Sequence, residues 1–193
     1  MTIYEKSRKT GETDVYVSLD LYGEGKGQID TGIGFFDHML AALTVHGGFD
    51  LTIKCRGDLE VDSHHTIEDV GITLGKAFKD AVGDRSGIAR YGFFLLPMDE
   101  SLALCSLDIS GRPFLVFKGE FSWPKIGEME SQMIEEFFRA FAMNAEITLH
   151  IDLMYGSNDH HRAEAIFKAF AHSLKSALTP LENKRVLSTK GVL

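Results

Sequence analysis

Two segments, His64-His65-Thr66-Ile67-Glu68 and His160-His161-Arg162-Ala163-Glu164, share the pattern His-His-x-x-Glu. Imidazole and carboxylate together suit a divalent transition ion. On a helix, residues four apart share a face. His64 with Glu68, and His160 with Glu164, can therefore each hold one ion. Adjacent helical residues point ~100° apart, because a turn takes about 3.6 residues. His65 and His161 thus cannot serve the ion held by their own helix pair. If two halves of the chain were related by a pseudo-twofold, each odd histidine could cross to the other pair. One site would then be His160, Glu164 and His65, and the other His64, Glu68 and His161. Each set leaves coordination open for a substrate. A single such motif is as readily a helix start decorated with polar residues. Two copies at equivalent places favour metal.

Other residues could join this chemistry. His38, in the segment FFDHML, is a further candidate ligand. His46, eight residues on, lies on roughly the same helix side. It could be a ligand, a proton carrier or a C-terminal histidine favoured by the helix dipole. His150 and His172 read as structural. Glu12 and Glu100 could each be a general acid or base, or simply solvated carboxylates at strand ends. Arg90, Arg112 and Lys190 are candidate phosphate contacts, although singly each is more often a surface charge. Neither a P-loop nor GxGxxG occurs, so no nucleotide cradle is expected.

These residues need elements to hold them. Val15, Val17, Leu19 and Leu21 alternate as a half-buried strand, and Gly23 to Gly27 reads as a turn. Gly34 to Gly48 reads as a helix closed by glycines, followed by a strand in FDLTIKC. A helix starts at Asp62 or Ser63, both good N-caps, and runs to about Val82. Its apolar stripe is Ile67, Val70, Leu74, Phe78 and Ala81. Strands are expected over Tyr91 to Leu96, Leu102 to Ile109, Phe114 to Phe117 and Ile147 to Leu153. Helices are expected over Met129 to Asn144 and from Asn158 or Asp159 to about Leu178.

The order repeats. Shifted by 96 positions, HHTIEDVGITLGKAF lies on HHRAEAIFKAFAHSL without a gap. At a shift of 88, Glu12 meets Glu100 and Asp20 meets Asp108. Such a duplication, roughly 80 to 90 residues long, is too long and too few-copied for a solenoid. It implies an α+β fold of two similar halves, with helices packed together and sheets outside. The chain is expected to be one domain, residues 1–193. Its pseudo-repeats would span about 10–86 and 90–180, with a tail over 181–193 carrying STKG.

The 193 residues carry a formal net charge of −8, which disfavours a phosphate backbone as partner. No nucleic acid is expected. Cys55 and Cys105 form no CxxC pair and read as buried free thiols of a reducing compartment. The first residues, MTIYEKSRKTGET, are charged and unlike a secretory signal. No apolar run nears the roughly 20 residues of a membrane span. A cytoplasmic protein with no membrane partner is the expectation.

From about Glu12 to Gly191, the segments GIGFFDHML, DSHHTIEDVG, PMDE, DISGRP, NDHHRAEAIFKAF and STKG occur in order. In this combination the chain resembles the imidazoleglycerol-phosphate dehydratase family of histidine biosynthesis. The resemblance implies a ribosomal protein S5 domain 2-like fold, with a central helical bundle between two mostly four-stranded mixed sheets. It implies dehydration of D-erythro-imidazole-glycerol phosphate to imidazole-acetol phosphate, with two Mn2+ per active site. One ion would take His38, His65, His160 and Glu164, and the other His64, Glu68 and His161. Many family members complete the second set with a histidine in an EHFF segment. Here the segment is Glu135-Glu136-Phe137-Phe138, so Glu136 stands in that place.

By the same resemblance, Arg90, Arg112, Ser188, Thr189 and Lys190 bind the substrate phosphate end. Glu12, His46 and Lys168 line the site, together with the ligands His38, His64, His65, Glu68 and His160. The catalytic set is Glu12, His46, His65 and Glu164. The family's assembly implies a 24-subunit shell built from trimers with active sites at subunit interfaces. The crossing of odd histidines could then run between chains rather than within one. The reaction itself explains a pair of metals. The lost proton has no carbonyl beside it, so the imidazole ring must take the charge, and metals on both ring nitrogens stabilise it.

Two rivals remain from the residues alone. Paired His and carboxylate ligands also activate water, which suits a di-metal phosphoester hydrolase. A non-enzymatic metal-binding shell protein would have the ligands without needing Arg90, Arg112 and STKG.

Overall fold

Val15, Val17 and Leu19 alternate with polar neighbours, and all three are buried in the structure. They lie on β2 (Thr13–Asp20), a central strand of a four-stranded sheet. The computed structural model describes residues 2–182 and 186–189. The first sheet has the order β1-β2-β4-β3, with β1 Tyr4–Lys9, β3 Gly27–Asp30 and β4 Asp50–Gly57. Strands β1 and β4 pair with β2 antiparallel, while β3 runs parallel to β4. The second sheet repeats this plan with β5 Tyr91–Met98, β6 Ser101–Asp108, β10 Thr148–Tyr155 and β7 Phe114–Lys118. Again the outer member of the third pair, β7, runs parallel to β10.

The helices follow the same repetition. They are α1 Gly34–Gly47, α2 His64–Val82, α3 Met133–Ala145 and α4 Asp159–Ala177. Each half therefore reads β-β-β-α-β-α, with a short extra hairpin before the third helix in the second. Ile67, Val70, Leu74 and Phe78 form the buried stripe of α2, and Ile166, Phe170, Leu174 and Ala177 that of α4. Helix α2 covers the first sheet and α4 the second, while α1 packs on α4 and α3 on α2. The core lies between the sheets. Phe137 of α3 sits near its centre, with ring centroids 5.3 Å from Phe36 of α1 and 5.4 Å from Phe167 of α4. That contact ties both halves into one core.

Three features depart from expectation. The helix expected from Met129 begins at Met133. Met129–Glu130 (β9) instead pairs with Lys125–Ile126 (β8) in a hairpin turned at Gly127, where φ is +59°. Strand β1 was not expected, because its inward residues are Tyr4, Lys6 and Arg8 rather than aliphatics. A charged strand suits a sheet edge. Strand β3 follows directly on the glycine turn and has little apolar pattern of its own. Cys55 and Cys105 are buried free thiols. Burial pushes the Cys55 thiol up to about 11 and the Cys105 thiol to about 12. No described helix is long and apolar enough to cross a membrane.

Candidate metal centre

Asn158 starts α4. Its backbone is extended, and its side chain accepts the N–H groups of His160 and His161. Such an N-cap contributes about 1 kcal/mol and fixes the first turn of the helix. That turn carries the second His-His-x-x-Glu segment. His160, Glu164, Lys168 and His172 then recur every fourth residue along one face. On α1, Asp37 accepts the backbone and hydroxyl of Thr31, at 2.9 and 2.6 Å, fixing the entry to that helix. His38 and His46 follow on the face that meets α4.

At the top of this seam, donor atoms of His38, His160 and Glu164 all lie within 4.8 Å of one another. Two donors at ~2.1 Å from one ion stand at most ~4.2 Å apart. Small side-chain rotations would therefore let the three close on a single ion. Two imidazoles and a carboxylate fit a divalent transition ion. Lys168 Nζ lies 2.6 Å from Glu164 Oε1, so it balances the carboxylate and aims it. Further along, the His46 and His172 rings are 5.3 Å apart, and His172 stacks on Phe94 at 4.4 Å. Burial, then the Lys168 charge, lowers the His46 pKa and favours its neutral imidazole.

The first His-His-x-x-Glu segment is held on α2. His64 Nε2 lies 3.8 Å from Glu68 Oε2. The capping bond comes from Asp62, whose carboxylate accepts the His64 N–H, although Ser63 occupies the N-cap position. Helices α2 and α3 run in the same direction, Gly71 facing Phe137 and Ala140, Gly75 facing Phe141 and Asn144. The α2 start thus lies near the α3 start, which carries Glu136. His64, Glu68 and Glu136 echo the placement of His160, Glu164 and His38 on the other helix pair. They do not close as tightly, and Glu136 lies 3.6 Å from Arg139 Nε.

Within the chain the odd histidines do not cross. Among the described residues, the His38, His160 and Glu164 group includes neither. His65 Nδ1 lies 3.0 Å from Asp58, and its Nε2 lies 3.7 Å from Glu12. His161 Nδ1 lies 2.8 Å from Glu100, and its Nε2 3.7 Å from Asp99. The helical offset that separates each from its own pair turns it away from the seam. The Asp58 hydrogen bond raises the His65 pKa, and the Glu100 bond raises that of His161. Glu100 is held far below the usual carboxylate range, first by His161 and then by the N–H groups of Ser157 and Asn158. A carboxylate so fixed is unsuited to exchanging protons near neutral pH, whereas Glu12 is exposed and lies 3.7 Å from His65 Nε2.

A second cluster gathers cations. Arg90 makes a two-pronged pair with Asp108, at 2.6 and 3.0 Å, and Arg112 reaches the same carboxylate at 3.3 Å. Arg90 also donates to the Leu187 carbonyl, which brings the Ser188–Thr189 segment alongside. Its φ of +70° is uncommon for a residue with a side chain. Bonds from its N–H to Ala177 and from Ile109 to its carbonyl hold it there. Lys190 lies outside the described residues. Sequence reasoning missed Asp58, Asp99 and the Asp108 anchor; His172, read as structural, packs its ring against His46 and Phe94.

Comparison with known proteins gives this arrangement a relation. The family model described as imidazoleglycerol-phosphate dehydratase matches residues 31–174. The imidazoleglycerol-phosphate dehydratase of Clostridium kluyveri is 56% identical over the whole of both chains. That of Methylorubrum extorquens is 57% identical over 97% of each. The crystal structure of the Staphylococcus aureus enzyme superposes with a TM-score of 0.85 at 42% identity. It covers 93% of this chain and 99% of that one. The Pyrococcus furiosus structure, 36% identical, gives 0.84 and covers 97% and 100%. The chain therefore belongs to the imidazoleglycerol-phosphate dehydratase family, hydro-lyases (EC 4.2.1.19) of histidine biosynthesis.

Proposed function

We propose that this chain turns D-erythro-imidazole-glycerol phosphate into imidazole-acetol phosphate with two Mn2+ per active site. The observation that carries the metal reading is the preassembled group of His38, His160 and Glu164. His65 joins this set. His64, Glu68 and His161 hold the second ion, with Glu136 as their fourth ligand. Ions held by these residues would supply Lewis acidity to the substrate's imidazole, letting the ring serve as electron sink. Because each odd histidine points away from its own seam, the completing ligands come from neighbouring subunits.

The chain's own groups do the rest. Arg90 and Arg112, with Ser188, Thr189 and Lys190, bind the phosphate, and Asp108 keeps the two guanidiniums pointing together. Glu12 moves the proton at the reacting carbon or at the leaving hydroxyl. It is exposed and lies 3.7 Å from His65 Nε2, beside the metal set. His46 and Lys168 line the site, and the neutral form of His46 lets it accept a proton. Exposed Tyr91, Phe93 and Leu95 on β5, with Phe93 71% exposed, support burial against further copies. The resemblance puts the assembly at 24 subunits built from trimers. The site calls for no nucleic acid or membrane, and a cytoplasmic location fits the pathway.

The test is turnover after metal stripping. Stripped protein should form no ketone product, and added Mn2+ should restore it. Phosphate release instead would favour a di-metal hydrolase, and metal uptake without turnover a binding protein. Glu12→Gln should lower kcat by about 10²–10⁴-fold with the metal content unchanged. Near-normal turnover with metals bound would remove Glu12 from proton transfer.

A further inference from the structure

We propose that Asp58 and Glu100 are positioning residues. Each fixes one odd histidine, His65 or His161, so that its Nε2 is presented as a metal ligand. The inference rests on the two-metal reading above.

Both histidines are held the same way. His65 Nδ1 lies 3.0 and 3.2 Å from the two oxygens of Asp58. His161 Nδ1 lies 2.8 Å from Glu100 Oε2. With Nδ1–H donating to a carboxylate, the proton is fixed on that nitrogen and the Nε2 lone pair is left for a metal. Among the described residues, a carboxylate stands 3.7 Å from each Nε2, Glu12 or Asp99, which is too long for a hydrogen bond.

The two struts come from different places. Asp58 follows β4, whereas Glu100 lies in the turn between β5 and β6. Glu12 and Glu100, which precede β2 and β6, each lie beside their own half's odd histidine but meet different ring nitrogens. Glu12 faces an Nε2, and Glu100 binds an Nδ1. Two halves of a duplication thus reach one arrangement with residues that do not correspond, as a shared demand on the histidine would produce. Glu100 is itself braced, its Oε1 accepting from Ser157 N at 3.0 Å, Asn158 N at 2.8 Å and the Ser101 hydroxyl at 3.1 Å. Among the described residues the Asp58 side chain bonds His65 alone, so it offers the cleaner test.

The experiment titrates Mn2+ into metal-stripped, full-length protein, reading free ion by electron paramagnetic resonance. Asp58→Ala should weaken one class of site by about 10–100-fold and leave the other unchanged. Asp58→Asn keeps an acceptor for Nδ1–H and should bind within a few-fold of the wild type. Unchanged binding by Asp58→Ala, on a wild type that takes up Mn2+, would overturn the positioning role alone. So would an Asp58→Asn variant as weak as Asp58→Ala. A wild type that binds no Mn2+ would overturn the metal reading, and this role with it.

Discussion

Replacing His160 with Ala should lower kcat by at least about 10²–10³-fold while leaving the fold intact. His160 supplies one of the two imidazoles in the preassembled donor group. Without it, Glu164 keeps Lys168 at 2.6 Å as its partner. That ammonium repels a divalent ion, and within the preassembled group only the His38 imidazole is left to offset it. The helix should tolerate the change. Asn158 caps α4 through the backbone N–H of residue 160, which alanine retains. The side chain is 44% exposed, so little packing is lost. The metal-free variant should match the metal-free wild type in stability within about 0.5 kcal/mol. Three measurements check this: bound metal per subunit, turnover at saturating Mn2+, and a thermal melt in chelator. Normal turnover with a full metal complement would show that the ion is held elsewhere.

The sequence carried the helix-borne half of this site well. A four-residue spacing on a helix is a geometric statement, so His160 with Glu164 could be paired before any coordinates. So could the stripes of α2 and α4, whose inward residues are aliphatic or aromatic at regular intervals. The struts were illegible for the opposite reason. Asp58 reaches His65 by a loop folding back, and no periodicity marks a loop carboxylate. Glu100 reaches His161 from 61 positions away. Strand β1 hid because its inward side is polar, with Arg8 paired to Asp69 on α2. Seen from the sequence, Arg8 is merely a charge. The meeting of His46 with His172 likewise depends on how α1 crosses α4, which neither helix encodes alone.

The same helix carries the core and the chemistry, so a change far from any ligand should silence both. Gly92→Ala is the sharpest case. Gly92 lies on β5, which packs against α4. A methyl there would fall inside the van der Waals envelope of the Ser173 carbonyl oxygen. It would also stand 2.9 Å from the Ser173 carbonyl carbon and 3.0 Å from the Ala177 nitrogen. These are backbone atoms of a buried helix, so no rotamer change relieves the clash. Either α4 lifts from the sheet or β5 bends. Overpacking of this kind costs about 3 kcal/mol, which at this chain length lowers the melting midpoint by about 6–12 °C. A shift of α4 by about 1 Å would also move His160, Glu164, Lys168 and His172 against α1, which is enough to lose about 10²-fold in rate. Gly11→Ala, with nothing within 4 Å of the added carbon, is the control and should change neither. Paired melts and turnover assays on the two variants distinguish a strained α4 from a general intolerance of added methyl groups. Wild-type stability in Gly92→Ala would mean that β5 and α4 are not packed as closely as the structure has them.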